Sequence, residues 1–307
     1  MRSRLPLLLA FSLFGCGDDE GSGGQGGGST TSSASGATTS PTGSGPGGTT
    51  SGTTASGTGS TTGSGMGLPG GPSSERLTLR PKGSVAGAPL GYAEYLPPGY
   101  GDGTPRPLLV FHHGIGESGF GTEADLDRLF NTGLPSLIES DQWSEERPFI
   151  VLMTQHEADP FTSCHTVEEV RSFLEFAIPY YDVDASRVYI TGLSCGAIGS
   201  WNYLGADTNT LVAGAVLIAG NGEGAFGQAG CNLGSVPIWA FHGDADDTVA
   251  PSGSINPINA LNACTNPAPI EAKLTIFPGV GHNSWDMTYD GSAGHDIYGW
   301  LLGYTKN

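Results

Sequence analysis

The chain has 307 residues, with 30 Asp and Glu against 12 Lys and Arg, which gives a formal net charge of -18. Because no Lys or Arg cluster interrupts this acidic balance, the composition argues against nucleic acid as a partner. Residues 75–307 contain no internal repeat. The length of the chain allows one sizeable domain with a single core, once two N-terminal segments are set aside.

The first 16 residues, MRSRLPLLLAFSLFGC, place two arginines before a short apolar run. This pattern predicts a signal peptide, and the run from Leu5 to Phe14 is shorter than the roughly 20 residues that span a bilayer. The letters LFGC resemble a bacterial lipobox, so we expect lipidation of Cys16 and contact with a membrane only through that anchor. Ordinary secretion after a cut nearby is the alternative.

Residues 17–74 are almost entirely Gly, Ser and Thr, and such a segment cannot bury a core. We expect a disordered linker with an end-to-end distance of roughly 40 Å, which suits a tether between membrane and domain. Residues 75–307 form the predicted domain, which we expect to be a monomer. If Cys16 is lipidated, four cysteines remain in a compartment where disulfides persist: Cys164, Cys195, Cys231 and Cys264.

In chain order, the domain begins with two predicted strands, RLTLR and LGYAEY, the second of which is ended by Pro97 and Pro98. PLLVFHH and PFIVLMTQ follow as continuous apolar runs of strand length, which are typical of strands buried on both faces of a parallel sheet. Each of these two strands precedes a segment with the apolar spacing of a helix, first EADLDRLFNTGLPSLIES and then VEEVRSFLEFAIPYYDVDA.

The next predicted strand is RVYITG, the next helix AIGSWNYLG, and three more strands follow: LVAGAVLIAG, VPIWAFHG and KLTIFPG. HDIYGWLLGY closes the chain as a helix. This alternation predicts an α/β fold with a mostly parallel, doubly wound sheet of about eight strands and helices on both faces. In such sheets ligands bind at the C-terminal ends of the strands, so the polar clusters that follow the strands are the candidate functional residues.

One such cluster is the G-x-S-x-G pattern GLSCG, residues 192–196, which lies between a predicted strand and a predicted helix. In this setting the pattern predicts a nucleophile elbow, in which the glycines allow a sharp turn and Ser194 stands exposed at its tip. A Gly-rich turn without chemistry is the alternative.

The loop HHGIGESG follows another buried strand, and its glycines expose backbone N–H groups. An oxyanion formed at Ser194 needs two such donors, and we predict the N–H groups of Ile115 and Cys195. His112 and His113 are alternatively metal ligands. No third ligand is suitably spaced, so we expect structural roles for both histidines and neither a metal nor a cofactor.

A serine nucleophile needs a histidine to take its proton and a carboxylate to orient that histidine. Asp244, Asp246 and Asp247 follow the strand VPIWAFHG, and one of them is the expected carboxylate. Beyond the last strand, His282 lies within a few residues of the strand end, whereas His295 begins the closing helix. We therefore predict His282 as the base, and the order Ser, Asp, His is the α/β-hydrolase order.

Residues 75–307 resemble the α/β-hydrolase superfamily. HHGIGESG resembles the HG-x-G-(D/E) loop of carboxylesterases, acyl-protein thioesterases and phospholipase-type esterases. Three longer segments resemble secreted polyhydroxybutyrate-depolymerase-like and predicted-peptidase esterases: YDVDASRVYITGLSCGAIGSW, VPIWAFHGDADDTV and FPGVGHNSWDMTYD. The resemblance implies Ser194 as nucleophile, His282 as base and Asp246, the acid of the HG-x-x-D turn, as their partner.

Two positions differ from this group: Cys195 follows the nucleophile, and Ala197 stands where a third glycine is common. These differences concern the substrate pocket more than the reaction. The resemblance also implies a disulfide between Cys231 and Cys264, because the group often has cysteines at both places. A bond between Cys164 and Cys195 is less favoured among the three possible pairings.

These features predict a serine hydrolase that cleaves carboxylic esters through an acyl-enzyme. Alternatives of the same fold are a polyhydroxyalkanoate depolymerase, a feruloyl or acetyl-xylan esterase and a peptidase, and an alternative of another class is a surface binding module without turnover. A cysteine mechanism is disfavoured because Cys195 occupies an x position. Trp143, Trp201 and Trp285 are candidates for a substrate cleft, with core packing as the alternative.

Overall fold

The computed structural model describes residues 67–158, 163–206 and 211–306. The predicted signal peptide, the predicted lipidation site Cys16 and residues 17–66 of the predicted linker lie outside the described residues. Within the described part of the chain, no helix combines the length and the apolar composition needed to cross a membrane.

In the described residues one sheet contains eight strands: β1 (Leu77–Arg80), β2 (Tyr92–Tyr95), β3 (Arg106–His112), β4 (Ile150–Thr154), β5 (Val183–Leu193), β6 (Gly214–Ile218), β7 (Ile238–Gly243) and β8 (Ala272–Phe277). Their order across the sheet is β1-β2-β4-β3-β5-β6-β7-β8. β2 pairs antiparallel with both β1 and β4, and all other neighbouring strands are parallel. The predicted mostly parallel sheet of about eight strands is confirmed.

The described α-helices are α1 (Glu123–Leu126), α2 (Gly133–Glu139), α3 (Val167–Tyr180), α4 (Cys195–Ala206), α5 (Glu223–Ala229), α6 (Ser252–Asn262), α7 (Asp286–Tyr289) and α8 (Ile297–Leu302). Helices α3 to α6 pack on one face of the sheet, and α1, α2, α7 and α8 pack on the other. The sheet is therefore covered on both faces, as the alternation of strands and helices predicts.

Alternate residues of the central strands supply the two cores. In β3, Leu108 and Val110 pack under α3 to α6, whereas Leu109 and Phe111 pack on the opposite face. All four are buried, which explains why this strand is a continuous apolar run instead of an alternating one. Burying each such side chain fully stabilises the folded domain by about 1.5–3 kcal/mol relative to leaving it exposed.

Helix α3 begins with a capping box. The Thr166 hydroxyl accepts a hydrogen bond from the Glu169 N–H, and the Glu169 carboxylate accepts one from the Thr166 N–H. Val170, Phe173 and Leu174 then form the buried face, at the spacing from which the helix is predicted.

Two parts of the fold differ from the sequence prediction. The segment predicted as one helix over residues 123–140 is divided into α1, a 3-10 turn at Asp127–Asn131 and α2. The break occurs because Thr132 is extended and Gly133, the first residue of α2, has a φ of 66°, so the right-handed helical backbone is interrupted between the 3-10 turn and α2. The sequence pattern does not predict α5, α6 or α7; α6 is rich in Ser, Asn and Gly and contains Pro257, which have low helix propensity.

The domain extends further toward the N-terminus than the predicted boundary at residue 75. The Leu68 N–H donates to the Tyr100 carbonyl at 2.9 Å, and Ser73 Oγ donates to the Ile138 carbonyl at 2.7 Å. Residues 67–74 thus contact the domain and are not free linker. Hydrogen bonds of the backbone and of a serine make these contacts, so the Gly- and Ser-rich composition gives no sign of them.

Two tryptophans predicted to line a substrate cleft belong to the core instead. Trp201 on α4 is fully buried, and a Cβ built on Gly222 would lie 2.5 Å from its indole ring. Trp143 is 3% exposed and packs edge-on against Tyr95 and Tyr298. The cleft prediction is therefore wrong for Trp201 and Trp143, because the face of the helix or loop that carries each indole is turned toward the domain interior.

Replacing Trp201 tests this assignment. Trp201→Ala removes a fully buried indole and leaves a cavity, so we expect the free energy of unfolding to fall by about 3–5 kcal/mol in urea titrations. Trp285→Ala is the matched control, because Trp285 is half-buried, and we expect a clearly smaller loss. Equal losses in the two variants would contradict the assignment.

Candidate active site

Ser194 occupies the turn between β5 and α4 with a φ of 51°, in the left-handed region. This conformation costs a non-glycine residue on the order of 1–3 kcal/mol and is concentrated at active sites. The flanking glycines are sterically required: a Cβ on Gly196 would lie 2.0 Å from the His112 carbonyl oxygen, and one on Gly192 would lie 2.7 Å from the Gly196 backbone. The turn has the geometry of the predicted nucleophile elbow.

Three of the predicted site residues form one hydrogen-bonded chain. Ser194 Oγ lies 2.8 Å from His282 Nε2, and His282 Nδ1 lies 2.7 Å from Asp246 Oδ2. Because Nδ1 faces a carboxylate it carries the ring proton, which leaves Nε2 to accept a hydrogen bond from the Ser194 hydroxyl. The three residues follow β5, β7 and β8, so the chain lies at the C-terminal end of the parallel strands.

Both oxygens of the Asp246 carboxylate accept hydrogen bonds. Oδ1 accepts hydrogen bonds from the backbone N–H groups of Thr248, at 2.9 Å, and Val249, at 3.0 Å, while Oδ2 faces His282. Burial raises the pKa of Asp246, but the hydrogen bonds from His282 and the backbone outweigh burial and bring the pKa below its ordinary value. The carboxylate is therefore charged at neutral pH.

The other candidates for the acid and the base do not take part in these hydrogen bonds. Asp244 and Asp247 are exposed, and Asp244 Oδ1 accepts a hydrogen bond from the Gly279 N–H, which is ordinary turn chemistry. The half-buried His295 ring packs 5.7 Å from the ring of Phe241 and covers the sheet.

The two predicted oxyanion donors begin short helical segments next to Ser194. Ile115 is the first residue of a 3-10 turn, Ile115–Glu117, and Cys195 is the first residue of α4. The first N–H groups of a helix have no acceptor within that helix and are free for a ligand. Gly114 brings the loop against the elbow, since a Cβ on it would lie 3.8 Å from Ser194 Cβ.

Glu117 lies in the same loop, and sequence reasoning assigned it no role. A Cβ on Gly114 would lie 3.1 Å from Glu117 Oε2, so the carboxylate folds back toward the elbow. Burial raises the pKa of Glu117 to about 7, even though hydrogen bonds from the N–H groups of Gly114 and Glu117 itself lower it. A carboxyl group with a pKa of about 7 thus lies close to Ser194.

Two disulfides are present, Cys231–Cys264 and Cys164–Cys195. The first is the bond implied by the family resemblance, and the second is the less favoured pairing. Cys195 directly follows Ser194, so the second bond ties the elbow to the segment before α3, with a Cα to Cα distance of 5.0 Å. Such bonds are typical of proteins that work outside the cytoplasm.

Four histidines cluster beside the loop that follows β3: His112, His113, His156 and His165. The ring centroids of the first three lie 4.8, 4.6 and 5.4 Å from the His165 ring. His113 Nε2 accepts a hydrogen bond from the His156 N–H, and His112 Nδ1 lies 2.8 Å from Ser200 Oγ. Burial lowers the pKa of His112 to about 3 and that of His113 to about 4. The residues that the structure describes contain no group of three or more potential ligands arranged to hold a metal ion.

Sequence reasoning also missed a role for His242, which contacts Asp246 Oδ2 at 3.0 Å. Its place as the histidine of the HG-x-x-D turn was the available signal. Trp285 fits its prediction better than the other two tryptophans: it is half-buried, and its ring stands edge-on to His282 with centroids 5.0 Å apart. Its Nε1 donates to Thr132 Oγ1 at 2.7 Å, which fixes the indole beside the histidine.

No protein-family model matches the chain, and no curated protein sequence matches it. Solved structures do match. A thermostable esterase aligns with a TM-score of 0.53 and 21% identity over 76% of this chain and 64% of its own length, so this chain spans less than two thirds of that esterase. A feruloyl esterase module from Clostridium thermocellum, complexed with sinapinate, aligns with a TM-score of 0.53 and 17% identity over 75% of this chain and 87% of its own.

A Thermus thermophilus protein aligns with a TM-score of 0.50 and 19% identity over 74% of this chain and 98% of its own. At these identities the matches establish the architecture. Together with the eight-stranded sheet they show that the chain has the α/β-hydrolase fold, as the resemblance implied.

The buried histidines predict that acid destabilises the domain. His112 and His113 have folded pKa values of about 3 and 4, below the ordinary value of about 6.5. Between these values the unfolded chain binds protons that the folded chain does not, so stability is retained above about pH 6.5 and is lost as the pH falls toward 4. In that window each histidine lowers the free energy of unfolding by up to about 1.4 kcal/mol for each pH unit of acidification.

Urea unfolding between pH 7 and pH 4.5 measures this effect. We expect His112→Asn, which keeps a group near the Ser200 hydroxyl but cannot bind a proton, to flatten the pH dependence of the midpoint. His295→Asn, the same substitution at a half-buried position outside the cluster, is the matched control. An unchanged slope in His112→Asn would show that this histidine is not protonated on unfolding.

Proposed function

We propose that the chain is a serine hydrolase that cleaves carboxylic esters, with Ser194 as nucleophile, His282 as general base and Asp246 as the acid that orients it. The observation that carries the proposal is the hydrogen-bonded chain of these three side chains, which begins at a serine with strained backbone. Likeness of fold to a thermostable esterase and a feruloyl esterase module supports the same reaction class.

In the acylation half, Ser194 Oγ attacks the carbonyl carbon while its proton passes to His282 Nε2, and Asp246 stabilises the imidazolium that forms. The carbonyl oxygen, as it becomes negatively charged, accepts hydrogen bonds from the N–H groups of Ile115 and Cys195, and each bond stabilises the transition state by about 2.7–4 kcal/mol. The bond to the alcohol oxygen then breaks, and that oxygen takes the proton from His282. The acyl group remains on Ser194.

In the deacylation half, a water molecule transfers a proton to His282 Nε2 and attacks the acyl carbon. The same N–H groups stabilise the second oxyanion. The bond to Ser194 Oγ breaks as Oγ recovers its proton, and the carboxylic acid leaves. Water is the only co-reactant, so the two halves balance for ester hydrolysis.

For the location, we propose that the enzyme works outside the cytoplasm, held at a bacterial membrane or cell surface by a lipid on Cys16. The LFGC letters and the linker composition support the anchor, and the two disulfides support an oxidising compartment. Secretion without the anchor is the alternative.

Trp285 points to the substrate class. Its half-buried indole stands beside His282, and flat aromatic groups pack well on such a surface. This favours an ester of an aromatic acid, of the kind a feruloyl esterase cleaves, over polyhydroxyalkanoate, acetyl-xylan or peptide substrates. A panel of short acyl, hydroxyalkanoate, acetyl-sugar, feruloyl and peptide substrates compares them directly.

Removing the nucleophile tests the reaction. Ser194→Ala deletes the attacking oxygen, and we expect kcat for a p-nitrophenyl acyl ester to fall at least about a thousandfold, with circular dichroism unchanged. Ser140→Ala, at an exposed serine, is the control and should keep full activity. Full activity in a folded Ser194→Ala variant would refute the proposal.

The two disulfides provide a second, internally controlled test. They close loops of similar length, with sequence separations of 31 and 33, so removing either should cost a similar free energy of unfolding, about 3–4 kcal/mol on the chain-entropy model. Only Cys164–Cys195 restrains an oxyanion donor. We expect the double alanine variant at Cys164 and Cys195 to lose about tenfold or more in kcat, and the variant at Cys231 and Cys264 to lose little. The same kcat loss in both variants would contradict a role for the Cys164–Cys195 bond at the elbow.

A further inference from the structure

We infer that His242 is a positioning residue for the Ser194, His282 and Asp246 chain: it donates a hydrogen bond to the same Asp246 oxygen that faces His282. The inference rests on the proposed function for its catalytic consequence. The contacts that carry it are those of the His242 side chain, which is fully buried at the end of β7.

The hydrogen-bond partners of His242 Nε2 show that this ring nitrogen carries a proton. Nε2 lies 3.0 Å from Asp246 Oδ2 and 2.9 Å from the Val249 carbonyl oxygen. Both neighbours are acceptors, so Nε2 carries a proton and donates it to them. A histidine without that proton would place three acceptors together in a site closed to water.

The other ring nitrogen is held by helix α6. His242 Nδ1 lies 2.8 Å from Ser254 Oγ, and Ser254 Oγ lies 3.4 Å from the Gly220 carbonyl oxygen. Because Nε2 carries the ring proton, Nδ1 is an acceptor, and the Ser254 hydroxyl donates its proton to Nδ1. This bond keeps Nε2–H directed at Asp246. The imidazole is thus fixed between the turn after β7 and the first turn of α6.

Asp246 consequently has a hydrogen-bond donor at each of its four lone-pair positions. Two backbone N–H groups hold Oδ1, and two imidazoles share Oδ2. Without His242, the Oδ1 bonds still orient the carboxylate toward His282, but Oδ2 has lost one of its two donors. Its charge then acts on His282 alone, which favours the protonated form of that imidazole.

The other charged groups around this pair of histidines are few. Helix α6, which packs on His242, is formed by SGSINPINALN and has no titratable side chain. Glu223 at the start of α5 is exposed and bonds Asn256. On the turn itself Asp244 and Asp247 are exposed. On the His282 side, Glu117 lies in the loop beside Ser194, and Asp286 accepts hydrogen bonds from the Gly133 N–H and the Asn283 amide. Of these groups only Asp246 contacts both histidines, so it is the group through which His242 acts on His282.

The test compares His242→Leu, which keeps bulk without a donor, with His242→Gln, whose amide nitrogen takes the place of Nε2. The first measurement is an NMR titration of the His282 imidazole in the full chain, which needs no turnover. We expect the His282 pKa to rise by about 0.5–1 unit in the Leu variant and to return close to the wild-type value in the Gln variant.

The second measurement is ester hydrolysis. We expect His242→Leu to lower kcat about tenfold with KM within about twofold, and His242→Gln to recover most of the loss. Tyr189→Phe is the control for simple destabilisation. It removes a partly buried hydrogen bond to the Tyr304 carbonyl from a residue outside the site and should change neither kcat nor the His282 titration.

The outcomes separate the two claims. If neither the wild type nor any variant hydrolyses an ester, the proposed function is contradicted. The NMR titration would still decide whether His242 acts on His282. A His282 titration in His242→Leu identical to that of the wild type overturns the inference, as does a Gln variant no better than the Leu variant. If His242→Leu does not fold, Ser254→Ala is measured instead, because it removes the hydrogen bond that holds the His242 ring at Nδ1. A rise of the His282 pKa in that variant supports the inference, and no change overturns it.

Discussion

The contact between the start of α4 and the end of β3 is the constraint on which the proposed site depends. Gly196 lies so close to the backbone of His112 and His113 that a side chain there would overlap both carbonyl oxygens, at 2.0 and 2.5 Å. Because α4 begins this close to β3, the loop that follows β3 lies against the elbow. Ser194 then takes its left-handed backbone as the link between a buried strand and this helix, with its hydroxyl directed at His282.

Different kinds of restraint hold the two sides of Ser194. On the oxyanion side the restraint is covalent, since Cys195 is bonded to Cys164. On the base side it is a network of hydrogen bonds that begins at Ser254, passes through His242 and Asp246 and ends at His282. In the proposed reaction this preorganisation removes the cost of aligning the donors and the base, and sites of this kind gain most of their rate in this way.

The strands, the elbow, Ser194 and His282 can be predicted from the sequence because each is a local signal: an apolar run, glycines around a turn, a polar residue after a strand. The local pattern leaves Asp244, Asp246 and Asp247 as candidates for the acid, and only the family resemblance selects Asp246. Burial of Trp201 depends on which helices cover which face of the sheet, and no local sequence pattern shows this. The HG-x-x-D turn marks His242 in the sequence, but its contacts with Asp246 and Ser254 are visible only in the folded chain. The Cys164–Cys195 bond likewise joins residues 31 positions apart that come together only when the loop before α3 packs on the elbow. Helix α6, with its low helix propensity, is stabilised by packing and not by its own sequence.

Covalent labelling of Ser194 tests the central claim most directly. The full chain is treated with a fluorophosphonate at neutral pH, and the modified peptide is identified by tandem mass spectrometry. The account predicts one phosphonyl group, on Ser194, with labelling slowed strongly in His282→Ala because Nε2 is then absent as the base. A folded chain that stays unlabelled at Ser194, or that is labelled equally fast without His282, would contradict it.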